Sequence, residues 1–274
     1  MRTQMEKAEA FRALHARPGA FIIPNPWDAG TAKLLAAMGF EALATTSLGL
    51  ANTLGSATVS LDAIIENCRT IADATDLPVN ADLENCGADD PNTAAKAIAR
   101  AAEAGCVGGS IEDSTGDPQK PIYDFSLAVE RVQAAVEAAR ALPFPFTLTA
   151  RAENLLHGRN DLDDTIKRLQ AFEKAGADVL YAPGLGDVDM VRAVCSSVTK
   201  PVNVLARPGF TIADLAMAGV KRVSLGSGLA NFAYGMLETA AREILQDGTF
   251  GFARAAMPFG KLQALFRGDS AQQD

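Results

Sequence analysis

Histidine is almost missing from this chain: only His15 and His157 occur among 274 residues. A Ser-His-Asp catalytic set or a histidine-rich zinc centre therefore has little to be built from. Four cysteines, Cys68, Cys86, Cys106 and Cys195, stand far apart without CxxC spacing, which excludes a zinc ribbon and offers no disulfide framework. Basic residues are not in excess. The formal net charge is −8, which argues against nucleic acid and anionic membrane surfaces as partners, since both attract basic patches. No apolar run approaches the ~20 residues of a membrane span, and the charged start MRTQMEKAEAFRAL does not read as a secretory signal. No Pro/Gly/Ser-rich linker or shift in composition divides the chain. The expectation is one cytoplasmic domain over residues 1–274, with 48% hydrophobic residues to build its core.

What is present is a rhythm. Eight short apolar runs recur: Ala20–Asn25, Ala42–Ser47, Pro78–Glu84, Val107–Asp113, Phe146–Arg151, Asp178–Pro183, Pro201–Ala206 and Arg222–Ser227. Alanine-rich stretches of helical period fill the gaps, and several leave through a small-Gly exit (AAMGF, AAEAGC, FEKAGA, AMAGV) where glycine supplies the left-handed cap. Repeated βα units of this number predict an α/β fold, a (β/α)8 TIM-type barrel. An open doubly wound sheet uses the same units, but the first βα turn, NPWDAGT, lacks GxGxxG, and no Walker A motif appears. After the eighth run, 229–245 and 252–266 read as two further helices. The second carries Phe252, Met257, Phe259, Leu262, Leu265 and Phe266, an apolar load that suits packing on the barrel or a homo-oligomer interface, in a dimer or tetramer.

In such a barrel the active site lies at the C-terminal ends of the strands, so the last residues of each run form its candidate lining. Asp82 and Glu84 are two apart, and period-two geometry points both to one side. Of Glu112 and Asp113 only one should face the same way, and Glu112 is the one expected; Asp113 reads as a helix-capping acid. Three converging carboxylates repel one another unless a cation or proton intervenes. Hard oxygen ligands without a His or Cys cluster point to Mg²⁺ or Mn²⁺. Arg151 ends the fifth run and suits bidentate capture of a carboxylate, or an ion pair with one of the acids. Thr46, Ser47 and Leu48 end the second run, where backbone N–H groups can cradle an oxyanion. His15, in the N-terminal helix, is expected in solvent; His157 follows Arg151 by six residues in the next loop. Cys86 reads as a buried or loop thiol, with no basic neighbour in sequence to activate it.

These residues together resemble the isocitrate lyase/phosphoenolpyruvate mutase superfamily, with a carboxyphosphonoenolpyruvate phosphonomutase-like cast. The resemblance spans roughly Phe21 to Ala230 and rests on NPWDAGTAKLL, GFEALATTS, DLENCGADDP, the IED strand, LTARAE, PVNVLA and RVSLGSG. It implies a Mg²⁺-dependent barrel that makes or breaks C–C or P–C bonds beside a 2-oxo acid through an enolpyruvate-like intermediate. It also implies Asp82, Glu84 and Glu112 as the metal-organising acids and Thr46, Ser47 and Leu48 as the oxo-acid cradle. Arg151 takes the place of the strand-end arginine, and Asn203 that of a strand-end asparagine that touches substrate. Three departures stand out. The second acid is Glu84, and the following Gly-Tyr-Gly has become Cys86-Gly87-Ala88. The loop after Glu112, EDSTGDPQKPIYD, has no cysteine, where the lyases carry an acid/base cysteine. The stretch 52–58 has no acid before Asp62, where the family places another aspartate.

The expected activity is a Mg-dependent lyase acting on a small anionic 2-oxo or 2-hydroxy carboxylate, with oxaloacetate-type decarboxylation as one form. Arg151 and Glu112 are the expected catalytic groups, with Lys120 or Tyr123 as general acid from a closing loop. The alternatives are a P–C bond enzyme, such as a phosphonopyruvate hydrolase or phosphonomutase, and a non-catalytic metabolite-binding barrel.

Overall fold

The computed structural model describes residues 2–268, so the expected domain extends beyond the described residues at both ends. Each apolar run contains one strand. These are β1 (Phe21–Ile23), β2 (Leu43–Ala44), β3 (Val79–Ala81), β4 (Gly108–Glu112), β5 (Thr147–Arg151), β6 (Val179–Tyr181), β7 (Val202–Leu205) and β8 (Arg222–Ser224). All pairings are parallel, in the order β1-β8-β7-β6-β5-β4-β3-β2. The remaining seam, between β1 and β2, is bridged where the Ala44 N–H donates to the Pro24 carbonyl at 3.0 Å. This is the TIM-type barrel that the rhythm predicts.

Helix α1 (Gln4–Ala16) precedes the barrel. The returns between strands are α2 (Ala29–Ala37), α3 (Ser47–Thr53), α4 (Leu61–Asp73), α5 (Pro91–Glu103), α6 (Phe125–Arg140), α7 (Leu162–Ala175), α8 (Val188–Ser197) and α9 (Ile212–Met217). Most begin at an oxygen-bearing cap: Asp28, Ser60, Asp90, Asp161, Asp187 and Thr211 each accept a first-turn N–H. The small-Gly exits turn as expected, with Gly105 at φ +94° and Gly176 at φ +105°, where an L side chain would be strained.

The apolar core lies outside the strands, between them and the helices, and includes Leu43, Ile71, Ile98, Leu148, Phe172 and Val194. The inside of the barrel is different. Barrels of this fold usually fill with branched apolar side chains, whereas here Asn80, Ser110, Thr149, Asn203, Arg222 and Ser224 are buried and face a common cavity.

The N-terminal end is closed by α1, whose Phe11 and Leu14 pack with Phe21, Ile23, Ala42, Ala44 and Val107. Phe11 reaches so far in that a Cβ on Gly108 would stand 2.8 Å from its ring. His15, one turn after Phe11 on the same face, is carried into this plug and is not solvated. It meets the rings of Phe11 and Phe21 edge-on at 4.7 and 5.0 Å, with Nδ1 2.8 Å from the Phe11 carbonyl. Burial, aided by the charge of Arg222, pushes its pKa down to about 3, so the ring is neutral.

Past β8 the chain forms α10 (Gly228–Asp247), a 3-10 turn (Gly251–Ala255) and α11 (Phe259–Arg267). The last helix starts at Phe259, not at 252, because Pro258 stands at its entrance without an N–H to continue a ladder. It returns to α2, where Phe266 covers Gly30 and the Lys33 ammonium reaches the Phe266 carbonyl at 3.5 Å. Of α10 only Ala230 is buried. Phe232, Leu237 and Leu245 are 68%, 64% and 85% exposed, apolar side chains spread around the helix with no cover in the single chain. No helix among the described residues is long and apolar enough to cross a membrane.

Candidate active site

A cavity of about 240 Å³ opens at the C-terminal ends of the strands and descends between them. Thr46, Ser47, Leu48, Asp82, Glu84, Glu112, Arg151 and Asn203 line it. Lys120 does not. Its ammonium pairs with Asp124 at 2.8 Å in solvent, and it faces a separate shallow pocket with Asp89, Thr115 and Tyr123. The β4–α6 loop folds on itself rather than over the cavity: Ser114 bridges to Ile122, and the Thr115 hydroxyl donates to the Lys120 carbonyl at 2.6 Å.

Arg151 is the hub of the mouth. Nη1 lies 2.8 Å from Asp82 Oδ1, Nη2 lies 3.1 Å from Glu112 Oε2, and Nε lies 2.9 Å from Glu153 Oε1. Its guanidinium stands 5.2 Å from the centre of the Tyr181 ring. Burial works against its charge, but Glu112, Glu153 and Asp82 outweigh that and hold its pKa well above the ordinary value. Glu153 is the acid that the sequence reading did not single out. It is 3% exposed and follows Arg151 by two residues, a spacing that places both on one side.

The acids converge by a turn, not by a longer strand. The β3 ladder ends at Ala81, and Glu84 adopts φ +50°, a left-handed backbone that is uncommon without glycine and that clusters at functional sites. Asp82 is held from both sides, with Oδ1 on Arg151 and Oδ2 accepting from the Ser47 N–H at 3.0 Å and the Ser47 hydroxyl at 2.9 Å. Ser47 N–H is thereby engaged by Asp82, and Gly49 N–H is capped by the Thr46 hydroxyl at 3.2 Å. Burial raises the Glu84 carboxyl pKa, with Asp82 adding repulsion against a Ser47 hydrogen bond and Arg151. Glu112 is raised well above the carboxylate range by burial, which Arg151 only partly offsets while Glu153, Asp82 and Glu84 add repulsion.

Asp113 turns away from the cavity, as the alternation requires, but into an ion pair rather than a helix cap. Its carboxylate accepts from the Glu153 N–H at 2.8 Å and from Arg168 at 3.0 Å. Burial nevertheless lifts its pKa to about 6. Asp62, the first acid after 52–58, pairs with Arg100 at 2.6 Å on the exterior and cannot replace a family aspartate at the mouth. Cys86 is buried, with its thiol pushed up to about 12 by burial. Deeper in the barrel, Asn203 donates to the Ser224 hydroxyl at 2.9 Å and accepts from Arg222 at 2.8 Å.

The profile of the phosphoenolpyruvate phosphomutase family matches residues 11–245. The chain belongs to this family. A crystal structure from Burkholderia cenocepacia J2315, provisionally described as a lyase/mutase, is 57% identical with a TM-score of 0.94, covering 96% of this chain and 96% of that one. The 2-methylisocitrate lyase of Escherichia coli K12 is 30% identical over 230 residues, 77% of this chain and 75% of its own. An oxaloacetate decarboxylase of Rhodopseudomonas palustris HaA2 is 27% identical over 184 residues, 65% of this chain and 62% of its own. The phosphomutase family thus gathers lyases and mutases on one enzyme scaffold, and this chain shares that scaffold.

Proposed function

We propose that this protein is a divalent-metal-dependent lyase that breaks a C–C bond beside a 2-oxo or 2-hydroxy carboxylate. The observation that carries this reading is the charge at the mouth. Asp82, Glu84 and Glu112 face a single guanidinium, Arg151. A carboxylate substrate entering there is repelled unless a cation enters with it. The donors are hard oxygens only, which suits Mg²⁺ or Mn²⁺. Among the described residues no three His, Cys, Asp or Glu side chains are gathered into a ready ligand cage. Mg²⁺ usually keeps several waters and takes one or two carboxylates from a protein. Asp82, Glu84 and Glu112 would hold it, directly or through water.

When bound, the ion supplies Lewis-acid stabilisation of negative charge on the substrate's oxo oxygen. Thr46, Ser47 and Leu48 receive the oxo-acid end. Arg151 offsets charge that grows during bond breaking and is the main catalytic group. Glu112, 3.1 Å from Arg151, works beside it as a metal-organising acid, while Lys120 and Tyr123, outside the cavity lining, do not reach the substrate. Two bond-breaking steps are open to this arrangement. A 3-carboxy-2-oxo acid can lose carbon dioxide, its bonding pair moving onto the oxo oxygen before a proton returns to carbon. A 2-hydroxy acid can instead split as its hydroxyl proton leaves. The decarboxylase and the lyase among the relatives match these two steps.

A phosphonate trianion would want more cations at the mouth, and His157, Arg159 and Lys120 all lie outside the cavity lining, which weighs against P–C chemistry. The exposed apolar side chains of α10 support a homo-oligomer, a dimer or tetramer, and four free thiols support a reducing, cytoplasmic setting. The test is a thermal-shift titration with Mg²⁺ and oxalate, separately and together. The expected result is a synergistic rise in melting temperature that is lost in Asp82→Asn. No rise with both present sinks the reading and favours a non-catalytic barrel.

A further inference from the structure

The floor of the cavity holds a charge without a counter-charge. Arg222 is 3% exposed, at the start of β8, and its side chain lines the same cavity as Arg151. Nε donates to Asn203 Oδ1 at 2.8 Å, Nη2 donates to the Thr149 hydroxyl at 2.9 Å, and Nη1 lies 3.4 Å from His15 Nε2. None of these is an anion, and His15 is neutral. Burial draws the Arg222 pKa down to about 9, with only Tyr181 acting to raise it, so the guanidinium is still cationic at neutral pH. Of the other buried arginines two are met by carboxylates, and Arg131, which is not, lies away from the cavity on backbone carbonyls. Arg151 has three carboxylates, Arg168 has Asp113 and Asp164, and Arg131 donates to the backbone carbonyls of Asn85, Ala88 and Asp89.

Keeping an unpaired ion inside a protein is costly, and evolution generally neutralises it or supplies a partner. Asn80, 5% exposed on the same lining, keeps its unpartnered Oδ1 toward Gly108 and Phe11 and, being an acceptor, is not part of an anion's grip. A polar floor with a cation that no carboxylate meets is suited to hold an anion rather than to pack.

We propose that the floor is an anion subsite in which Arg222, held by Asn203 and Thr149, takes a second, distal carboxylate of the substrate. This rests on the reading of the mouth given above, where the oxo-acid end lies at Arg151. The substrate is then a dicarboxylate or larger, and monocarboxylates of the same length are selected against. Loss of carbon dioxide drains charge from the departing carboxylate, and an ion pair with Arg222 holds that charge in place, so the bond that breaks is not the one to that carboxyl carbon. Of the two steps open to the site, cleavage of a 2-hydroxy acid is the one that leaves the distal carboxylate in place: the hydroxyl proton leaves, the oxygen becomes an oxo group, and the pair from the broken C–C bond is protonated on the departing carbon.

The test is calorimetric binding to the full chain with Mg²⁺ present, using malate, its C4 amide and oxalate. Malate and the amide differ by one charge and almost nothing in size. The expected result is at least tenfold tighter binding of malate by the wild type. Arg222→Gln removes that preference while oxalate affinity stays within twofold, and Arg222→Lys restores part of it. Equal affinities for malate and the amide in the wild type overturn the proposal, and this comparison decides even where the variants fail to fold. An unchanged preference in Arg222→Gln also overturns it. A preference for malate that Arg222→Gln abolishes, without any oxalate binding by the wild type, keeps the floor subsite and removes the reading of the mouth.

Discussion

Arg151 and Arg222 occupy one barrel in opposite electrostatic company. Arg151 stands at the mouth among Asp82, Glu112 and Glu153, with ion-pair distances of 2.8, 3.1 and 2.9 Å. Arg222 stands at the floor among Asn203, Thr149 and a neutral His15. Acid is in excess at one end and base at the other. The cavity therefore has an axis of charge, and a ligand with a cation at one end and an anion at the other lies along it. The difference also separates two uses of a buried guanidinium. One is locked by partners of its own chain, and the other is left with spare capacity.

The comparison breaks most sharply at Arg151. Arg151→Ala abolishes turnover and leaves three acids without their shared cation, a loss on the order of 3 kcal/mol at neutral pH. Assay and denaturant melts check this, and wild-type activity in the variant would refute the assignment. Next comes pH. Glu84 and Glu112 have folded pKa values raised above the ordinary 4.5, so the stability they contribute is present at low pH and lost as pH climbs through their folded values. Asp113 adds the same sign between 3.8 and about 6. In the metal-free protein this loss is opposed below pH 6.5 by the buried neutral His15, whose own contribution rises with pH from about 3, so a net loss is expected above 6.5. Mg²⁺ should flatten the part due to the two glutamates, with protons released on binding. Melts across pH and calorimetry in two buffers of different ionisation heat report this.

Arg222→Met should cost far less than the change at Arg151. Removing an unpaired charge offsets the hydrogen bonds lost at Asn203 and Thr149, leaving a net change within about 1–2 kcal/mol. A loss as large as that of Arg151→Ala would mean the floor arginine is a structural keystone. The smallest effect is expected at Lys120. Lys120→Ala, which breaks only an exposed pair with Asp124, should leave kcat/KM within about twofold and stability within about 0.5 kcal/mol.

The βα rhythm made the barrel legible, because each apolar run must bury itself and each glycine exit must turn. Period-two reading also brought Asp82 and Glu84 to one side, although the turn at Glu84 does what a longer strand was expected to do. The same rule applied to TARAE would have found Glu153. Arg222 is not legible from the C-terminal ends of the runs, because it stands at the start of β8 and its long side chain reaches the cavity from there. His15 was misread because a helix crossing the barrel end has no distinctive pattern; its partners Phe11 and Phe21 are brought together only by the fold. Lys120 was misplaced because nothing in EDSTGDPQKPIYD announces the bridge from Ser114 to Ile122 that turns the loop onto itself.

The α1 plug gives the cavity a single door. With Phe11, Leu14 and His15 closing the far end, a fragment seated on the floor leaves only after the fragment at the mouth has gone. Products of a cleavage here then depart in a fixed order. The floor product, released last to regenerate the empty enzyme, should inhibit competitively against substrate, while the mouth product should inhibit noncompetitively.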